Sequence, residues 1–377
     1  MTIYLDYNAS TPVDPRVLDE MIMVYKDYYG NASSRTHIFG QRANEIVQKS
    51  RDQVASILGV DKSEVIFTSG ATESDNIALL GLARWGEEVG RKHIISTTIE
   101  HKAILEPLEY LKSRGFEIDL IGVDQSGRIK TNDVLEKVRP DTLLVSIMHA
   151  NNETGVIQPV DEIGEALYKT ETFFHLDVAQ TFGKLVPELK GVKYDMLSIS
   201  GHKIYGPQGI GALILKRKNY KKPPVKPITF GGGHEAGLRP GTLPVALIAG
   251  LGKASELAEM EFKEWEKSNL SIKRSILNQL KPINYVINGD QNYCLSNVLN
   301  ISFPGIDSEA LMINSKEHFA LSNGSACTSH DYKPSHVLTA MGLNNSIIES
   351  AIRISWNSDL PNIDFSFLIS TIINLTT

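Results

Sequence analysis

Lys203 closes the stretch Ser198-Ile-Ser-Gly-His-Lys203, directly after an apolar, strand-like run. Its residue type leaves two readings open, a solvated surface lysine or an amine used for chemistry. Upstream, Thr68-Ser-Gly-Ala-Thr-Glu73 joins a strand pattern to a helical one. Small residues there leave backbone N–H groups at a helix N-terminus open to an anion, unless the segment is simply a turn. It does not match the Walker pattern, and Gly206-Pro-Gln-Gly-Ile-Gly211 leads into a strand rather than a helix, which argues against a dinucleotide fingerprint. Asp177 lies within His175-Leu-Asp-Val-Ala-Gln180, an apolar strand in which an ionised carboxylate requires a cationic partner. That partner is either a structural salt bridge or a protonated ring nitrogen.

The elements that must position these residues follow from composition and periodicity. The chain has 377 residues, 42% hydrophobic and 22% charged, enough for one large domain and a smaller one. Lysine and arginine number 38 against 44 acidic residues, a net charge of −6 with no long basic run, which disfavours direct nucleic-acid binding. No apolar run approaches the ~18 residues of a membrane span. The N-terminus, MTIYLDYNASTP, carries no basic leader, so a cytoplasmic location is expected. Cys294 and Cys327 are too few for a disulfide framework.

From about residue 40 to 217, apolar runs alternate with helical patterns, which predicts α/β layering. A helix is expected from Gln41 to Leu58, stopped by Gly59. Strands are expected at Glu64–Thr68, Ile94–Thr97, Phe116–Val123, Leu143–Met148, Phe173–Val178, Met196–Ser200 and Gly211–Leu215. A long helical pattern after Pro244 reaches about Leu280 with room for one break, and a domain boundary is placed inside it. The first dozen residues read as an extended arm joining the C-terminal part.

An anion seat, a buried strand carboxylate and a lysine after a later strand, in that order, are what pyridoxal phosphate requires. The seat anchors its phosphate, the carboxylate pairs with its ring nitrogen and the lysine supplies the amine for a Schiff base. SGATESDN (69–76), EHKAI (100–104), MHANNETG (148–155), HLDVAQ (175–180), SGHK (200–203) and RPGT (239–242) together resemble the cysteine desulfurases. These are class V aminotransferase-fold enzymes dependent on pyridoxal 5'-phosphate. The resemblance runs from LDYNASTPVDPR (5–16) to AIRISW (351–356).

It implies fold type I: an α/β large domain, residues 16–255, with a mainly parallel seven-stranded sheet between helices. A smaller α+β domain would combine residues 1–15 with 256–377. By the same resemblance Lys203 is the Schiff-base lysine, and Ala71, Thr72, Ser200 and His202 hold the cofactor phosphate. His101 stacks on the ring, Asp177 pairs with its nitrogen and Gln180 meets its phenolic oxygen. Asn152 and Arg353 hold the substrate carboxylate, a task that suits a guanidinium fork. Thr242 reaches the phosphate bound by a second subunit, which implies a homodimer.

Ser322-Asn-Gly-Ser-Ala-Cys-Thr-Ser329 surrounds Cys327 with small polar residues, as in an exposed loop, whereas Cys294 reads as a buried structural cysteine. The resemblance makes Cys327 the nucleophile that takes sulfur from L-cysteine, forms a persulfide and passes it to an acceptor protein. Either Lys203 or His101 moves the α-proton. Two cysteines and scattered histidines make no zinc set, and a transient iron–sulfur cluster would draw only Cys327. The Cys327 segment resembles the group with a longer loop. Residues 139–160 and 287–291 resemble the desulfurases of DNA-phosphorothioation systems, so the expected role is iron–sulfur assembly or DNA phosphorothioation. A selenocysteine lyase or aminotransferase of the same fold, and a non-catalytic sulfur-carrier or scaffold subunit, are the competing readings.

Overall fold

The computed structural model describes residues 2–323, 334–360 and 363–376. The chain opens on β1 (Ile3–Tyr4). Seven strands then build the central sheet: β2 (Val65–Thr68), β3 (His93–Thr97), β4 (Glu117–Ile121), β5 (Thr142–Met148), β6 (Phe173–Asp177), β7 (Met196–Ser200) and β8 (Gly211–Leu215). Their order is β2-β8-β7-β6-β5-β3-β4, and β8 runs antiparallel to both its neighbours while the other pairings are parallel. β5, β7 and β8 are buried at every position, because helices cover both faces and leave no side for polar residues. The expected mainly parallel seven-stranded α/β sheet is therefore present.

Farther along, β9 (Val286–Ile287), β10 (Val298–Ser302), β11 (Phe319–Ala320) and β12 (Ala351–Ser355) follow. Strands β12, β10 and β9 form an antiparallel sheet in that order, and β11 pairs in parallel with β1. The N-terminal arm thus joins a sheet partner more than three hundred residues away in sequence, as its extended pattern suggested.

Most element limits follow local rules. Helix Ile38–Leu58 stops at Gly59, whose φ of 64° is the left-handed cap that glycine adopts without strain. It starts earlier than the expected Gln41 because His37 is the cap, its Nδ1 accepting from the Gly40 N–H at 3.1 Å. Histidine is outside the usual set of capping residues, so the sequence carries no start signal there. Helix Val245–Leu280 is continuous over 36 residues, without the break its pattern allowed. Ile248, Leu251, Ala254 and Leu257 pack in the core beside the central sheet, whereas Ile276 and Leu280 join Leu299, Ile301, Trp356 and Phe365 in the core of the smaller one. One helix serves two cores, so its apolar pattern changes without a breaker residue.

The strand that leads into the anion seat is held from outside the sheet. Glu235 accepts the Phe67 N–H at 2.7 Å and pairs with both terminal nitrogens of Arg51, at 2.8 and 2.6 Å. The glutamate side chain is 1% exposed and that of Arg51 12%, so the pair is largely desolvated. Truncation would strand a guanidinium in a dry site, a change that costs about 3–5 kcal/mol. Glu235→Ala is expected to lower the unfolding free energy by that amount, read as a lower urea midpoint at an unchanged slope.

Candidate active site

The C-terminal ends of the parallel strands open into a cavity of about 500 Å³. On one wall, Gly70 caps helix Ala71–Val89 without a side-chain hydrogen bond, and Ala71 and Thr72 line the cavity. The free ends of a helix's first N–H groups, with the positive end of its dipole, suit an anion. This loop can lie against β7 and β8 only because Gly211 has no side chain: a Cβ there would come 2.4 Å from the Ile199 carbonyl oxygen and 2.7 Å from Gly70 Cα. Ser200 ends β7 beside it, and the His202 ring meets Ser10 Oγ at 3.3 Å. Burial, then the charge of Lys203, pushes His202 down to about 4, so its ring is neutral at physiological pH.

Lys203 follows in the turn Gly201–Lys203. Its Nζ donates to the carbonyls of Asn8 and Ala9, the latter at 2.7 Å. Asp177, at the end of β6, is 7% exposed and accepts from the Ala179 N–H at 2.8 Å. Burial raises its pKa, and the Ala179 hydrogen bond, His101 and Lys203 oppose the shift. Gln180 donates through Nε2 to the Asn8 carbonyl at 3.0 Å, while its Oε1 is buried with no partner among the described residues.

His101 caps helix Lys102–Ser113, its Nδ1 accepting from the Ala103 N–H at 3.1 Å. That bond places the proton of the neutral ring on Nε2. Burial lowers the His101 pKa, so the neutral ring predominates. Arg353, 3% exposed in β12, pairs with Asp6 at 2.6 Å and donates to the Asn152 carbonyl at 2.9 Å, and its Nε has no partner among the described residues.

Ala71, Thr72, His101, Asn152, Asp177, Gln180, Ser200, His202, Lys203 and Arg353 all line this one cavity. Thr242 is exposed and outside that lining, and Cys327 lies outside the described residues. Among the described residues no His, Cys, Asp or Glu cluster could hold a metal ion. Cys294 is half-buried rather than buried, with Sγ 3.5 Å from the Thr154 carbonyl oxygen and 3.7 Å from Lys273 Nζ.

Sequence reasoning gave no role to Asn8, Asp6, Asp75 or Glu100. Asp75 reaches the cavity wall from helix Ala71–Val89 and sits 3.6 Å from His175 Nε2. Burial and the charge of Asp177 push its pKa well up. The His175 ring lies between the hydroxyls of Ser146 and Ser198, each at 2.9 Å, and burial depresses it to about 3. The only sequence signal was a second acidic residue inside SGATESDN, at a helical position whose burial the pattern did not reveal.

The whole length agrees with this site. The aminotransferase class-V model matches residues 3–359, and the chain belongs to that family. The cysteine desulfurase IscS of Photorhabdus laumondii is 43% identical over 358 residues, covering 94% of this chain and 88% of that protein. The cysteine desulfurase IscS of Escherichia coli is 44% identical with the same coverage. Among solved structures, DndA from Streptomyces lividans is 46% identical, with a TM-score of 0.83 over 94% of this chain and 99% of its own. SspA in complex with cysteine is 37% identical, with a TM-score of 0.82 over 94% and 98%.

Glu100 offers a test of how dry the site's surroundings are. It is 0% exposed, its Oε1 accepts from Thr97 Oγ1 at 2.7 Å and the Met148 N–H at 3.0 Å, and burial lifts its pKa to about 8. A carboxyl whose folded pKa is raised contributes stability at low pH that is lost as pH rises from the unfolded value, near 4.5, through about 8. Glu100→Gln has no proton to lose. The stability difference, variant minus wild type, is expected to grow by up to about 1.4 kcal/mol per pH unit across that window and then level off. Urea melts at pH 5, 6, 7, 8 and 9 measure it.

Proposed function

We propose that this chain is a pyridoxal 5'-phosphate-dependent cysteine desulfurase that converts L-cysteine to L-alanine and leaves the sulfur as a persulfide on Cys327. One observation carries the cofactor reading. Asp177 is a buried carboxylate facing the same cavity as Lys203, and the Ala179 N–H is its hydrogen-bond donor among the described residues. A protonated pyridine nitrogen is the partner such a carboxylate calls for. The orphaned Gln180 Oε1 and the uncapped helix start at Gly70 suit a ring hydroxyl and a phosphate of the same molecule. Ala71, Thr72, Ser200 and His202 would hold the phosphate, Asp177 and Gln180 the ring, with His101 against its face.

When bound, the cofactor supplies an electron sink for charge formed at the substrate α-carbon. The protein does the rest. Arg353 and Asn152 orient the substrate carboxylate, and the unpartnered Arg353 Nε gives it a donor not already taken by the fold. Lys203 moves the α-proton; His101 cannot accept it at Nε2 while its Nδ1 is held by the Ala103 N–H. The Cys327 thiolate then attacks the substrate sulfur. The S–S bond forms as the C–S bond breaks, the electron pair stays on the substrate's β-carbon, and a proton completes the methyl group of alanine.

The working unit would be a homodimer. Tyr29, Phe39 and Phe230 are 71%, 44% and 77% exposed, and the Tyr29 and Phe39 rings lie 5.6 Å apart, an apolar surface suited to a second copy. Thr242 would then reach the phosphate held by the partner. Residues 16–255 would form the cofactor-holding domain, and 1–15 with 256–377 the smaller one carrying the Cys327 segment. The enzyme works in the cytoplasm without touching nucleic acid, and hands sulfur to a protein serving iron–sulfur assembly or DNA phosphorothioation. No helix among the described residues is long and apolar enough to cross a membrane.

Cys327→Ser is expected to abolish sulfide release from L-cysteine while keeping the yellow cofactor band. Lys203→Ala should instead abolish the band's fixation to protein by borohydride. Sulfide release by Cys327→Ser at the wild-type rate would overturn the nucleophile, alanine formation without sulfur on the protein would favour a lyase, and loss of the substrate amine without alanine would favour an aminotransferase.

A further inference from the structure

The described residues flanking segment 324–333 are both tied to the substrate site. On the N-terminal side, Ser322 bridges Arg353 through the backbone, and Arg353 Nη2 donates to Ser322 Oγ at 3.4 Å. On the C-terminal side, Ser335 donates its hydroxyl to Glu153 Oε2 and caps helix His336–Ala340 by accepting the Leu338 N–H at 3.1 Å. Glu153 and Ser335 are 3% and 6% exposed. The His336 Nε2 donates to the Glu100 carbonyl at 3.0 Å, and its Nδ1 stands 4.0 Å from Glu153 Oε1. Val337, Leu338 and Met341 then pack on Ile99.

These contacts converge on the two loops that present His101 and Asn152. Glu153 is the residue after Asn152. Its N–H donates to Asn151 Oδ1 at 2.9 Å, and its carbonyl accepts from Asn300 Nδ2 at 3.3 Å, so the carboxylate projects from a backbone fixed on both sides. A buried carboxylate aimed at a buried hydroxyl costs desolvation, and here nothing in the cavity chemistry above uses it. Its position gives it another use.

We propose that Glu153 is a positioning residue for sulfur transfer: through Ser335 it fixes the point from which the Cys327 segment departs relative to the substrate held by Asn152 and Arg353. This rests on the desulfurase reading. Small losses of alignment between reacting groups are costly, on the order of tenfold to a hundredfold in rate.

Ser335→Ala and Glu153→Leu are each expected to slow single-turnover formation of the Cys327 persulfide by at least about tenfold, followed by rapid quench and mass spectrometry. The cofactor band and the KM for L-cysteine should be unchanged, which a general loss of structure would not allow. Ser335→Thr, which keeps the hydroxyl and the cap, should restore the rate, and the double variant should be no slower than either single one because both remove the same link. The inference is overturned if the single variants run at the wild-type rate, if their effects multiply, or if Ser335→Thr fails to rescue. Cys327→Ser run alongside separates the two levels: rapid sulfur release from that variant removes Cys327 as the nucleophile on which this inference rests, whereas a silent Ser335→Ala with an inert Cys327→Ser removes only the role of Glu153.

Discussion

Ionisable side chains held out of water around the C-terminal ends of β3, β5 and β6 are the constraint around which the protein is arranged. Asp177, Asp75, Glu100, His175 and His149 are each under a tenth exposed, and burial is the leading cause of every shift among them. The carboxyls are pushed up and the imidazoles down, so the region resists charge of either sign. Desolvating an ion costs several kcal/mol even after relaxation. A sheet buried on both faces gives such groups the rigid frame needed to keep water from relieving that cost. Lys203 and His101 both act on Asp177, opposing the rise that burial imposes on its pKa. An acidic site poised against a cation is what a pyridinium ring would complete.

The N-terminal arm forms part of that site's lining through Asn8, Ala9 and Ser10. Asn8 donates its N–H to Ser355 Oγ at 2.9 Å and its side-chain amide to the Asn152 carbonyl at 3.2 Å, and it accepts from Asn297 Nδ2 at 3.4 Å. Its carbonyl meanwhile receives both Gln180 and Lys203. One residue therefore joins the central sheet, the Asn152 loop and the smaller sheet. The Lys203 amine directs N–H groups at the Asn8 and Ala9 carbonyls, so it must give up these bonds before its lone pair can act.

Patterns with a fixed period or a fixed offset were legible in the sequence. Strands from Thr142 to Leu215 showed as short apolar runs, and Gly59 marked a helix end because only glycine takes that cap without strain. The anion seat, Asp177 and Lys203 were legible because each sits at a strand end or in the turn after it, whereas the other cavity-lining residues, Arg353 in the middle of β12 among them, were named only through the family resemblance. Asn8 and Asp75 were not. A long-range tie such as Asn8 to Lys203 leaves no periodic trace, and an aspartate on a helix reads as solvated until a neighbouring strand covers it. The His37 cap escaped for the same reason as the Glu153–Ser335 link: each depends on a side-chain pairing that residue type alone does not imply.

Arg353 illustrates what geometry adds to such a reading. Its sequence position suggested an open fork for a carboxylate, yet the fork already holds Asp6 and the Asn152 carbonyl, and its backbone bridges Ser322. A guanidinium this engaged cannot swing, so it orients what it binds at little further entropic cost. The Asp6 carboxylate also offsets part of its charge, which weakens the attraction for a second carboxylate. Rigid orientation with moderate attraction favours turnover over tight substrate binding, because only interactions that grow toward the transition state raise the rate. The same partial neutralisation keeps the buried guanidinium tolerable when the site is empty, so in the proposed reading the pair that ties β12 to the N-terminal arm also tunes the substrate seat.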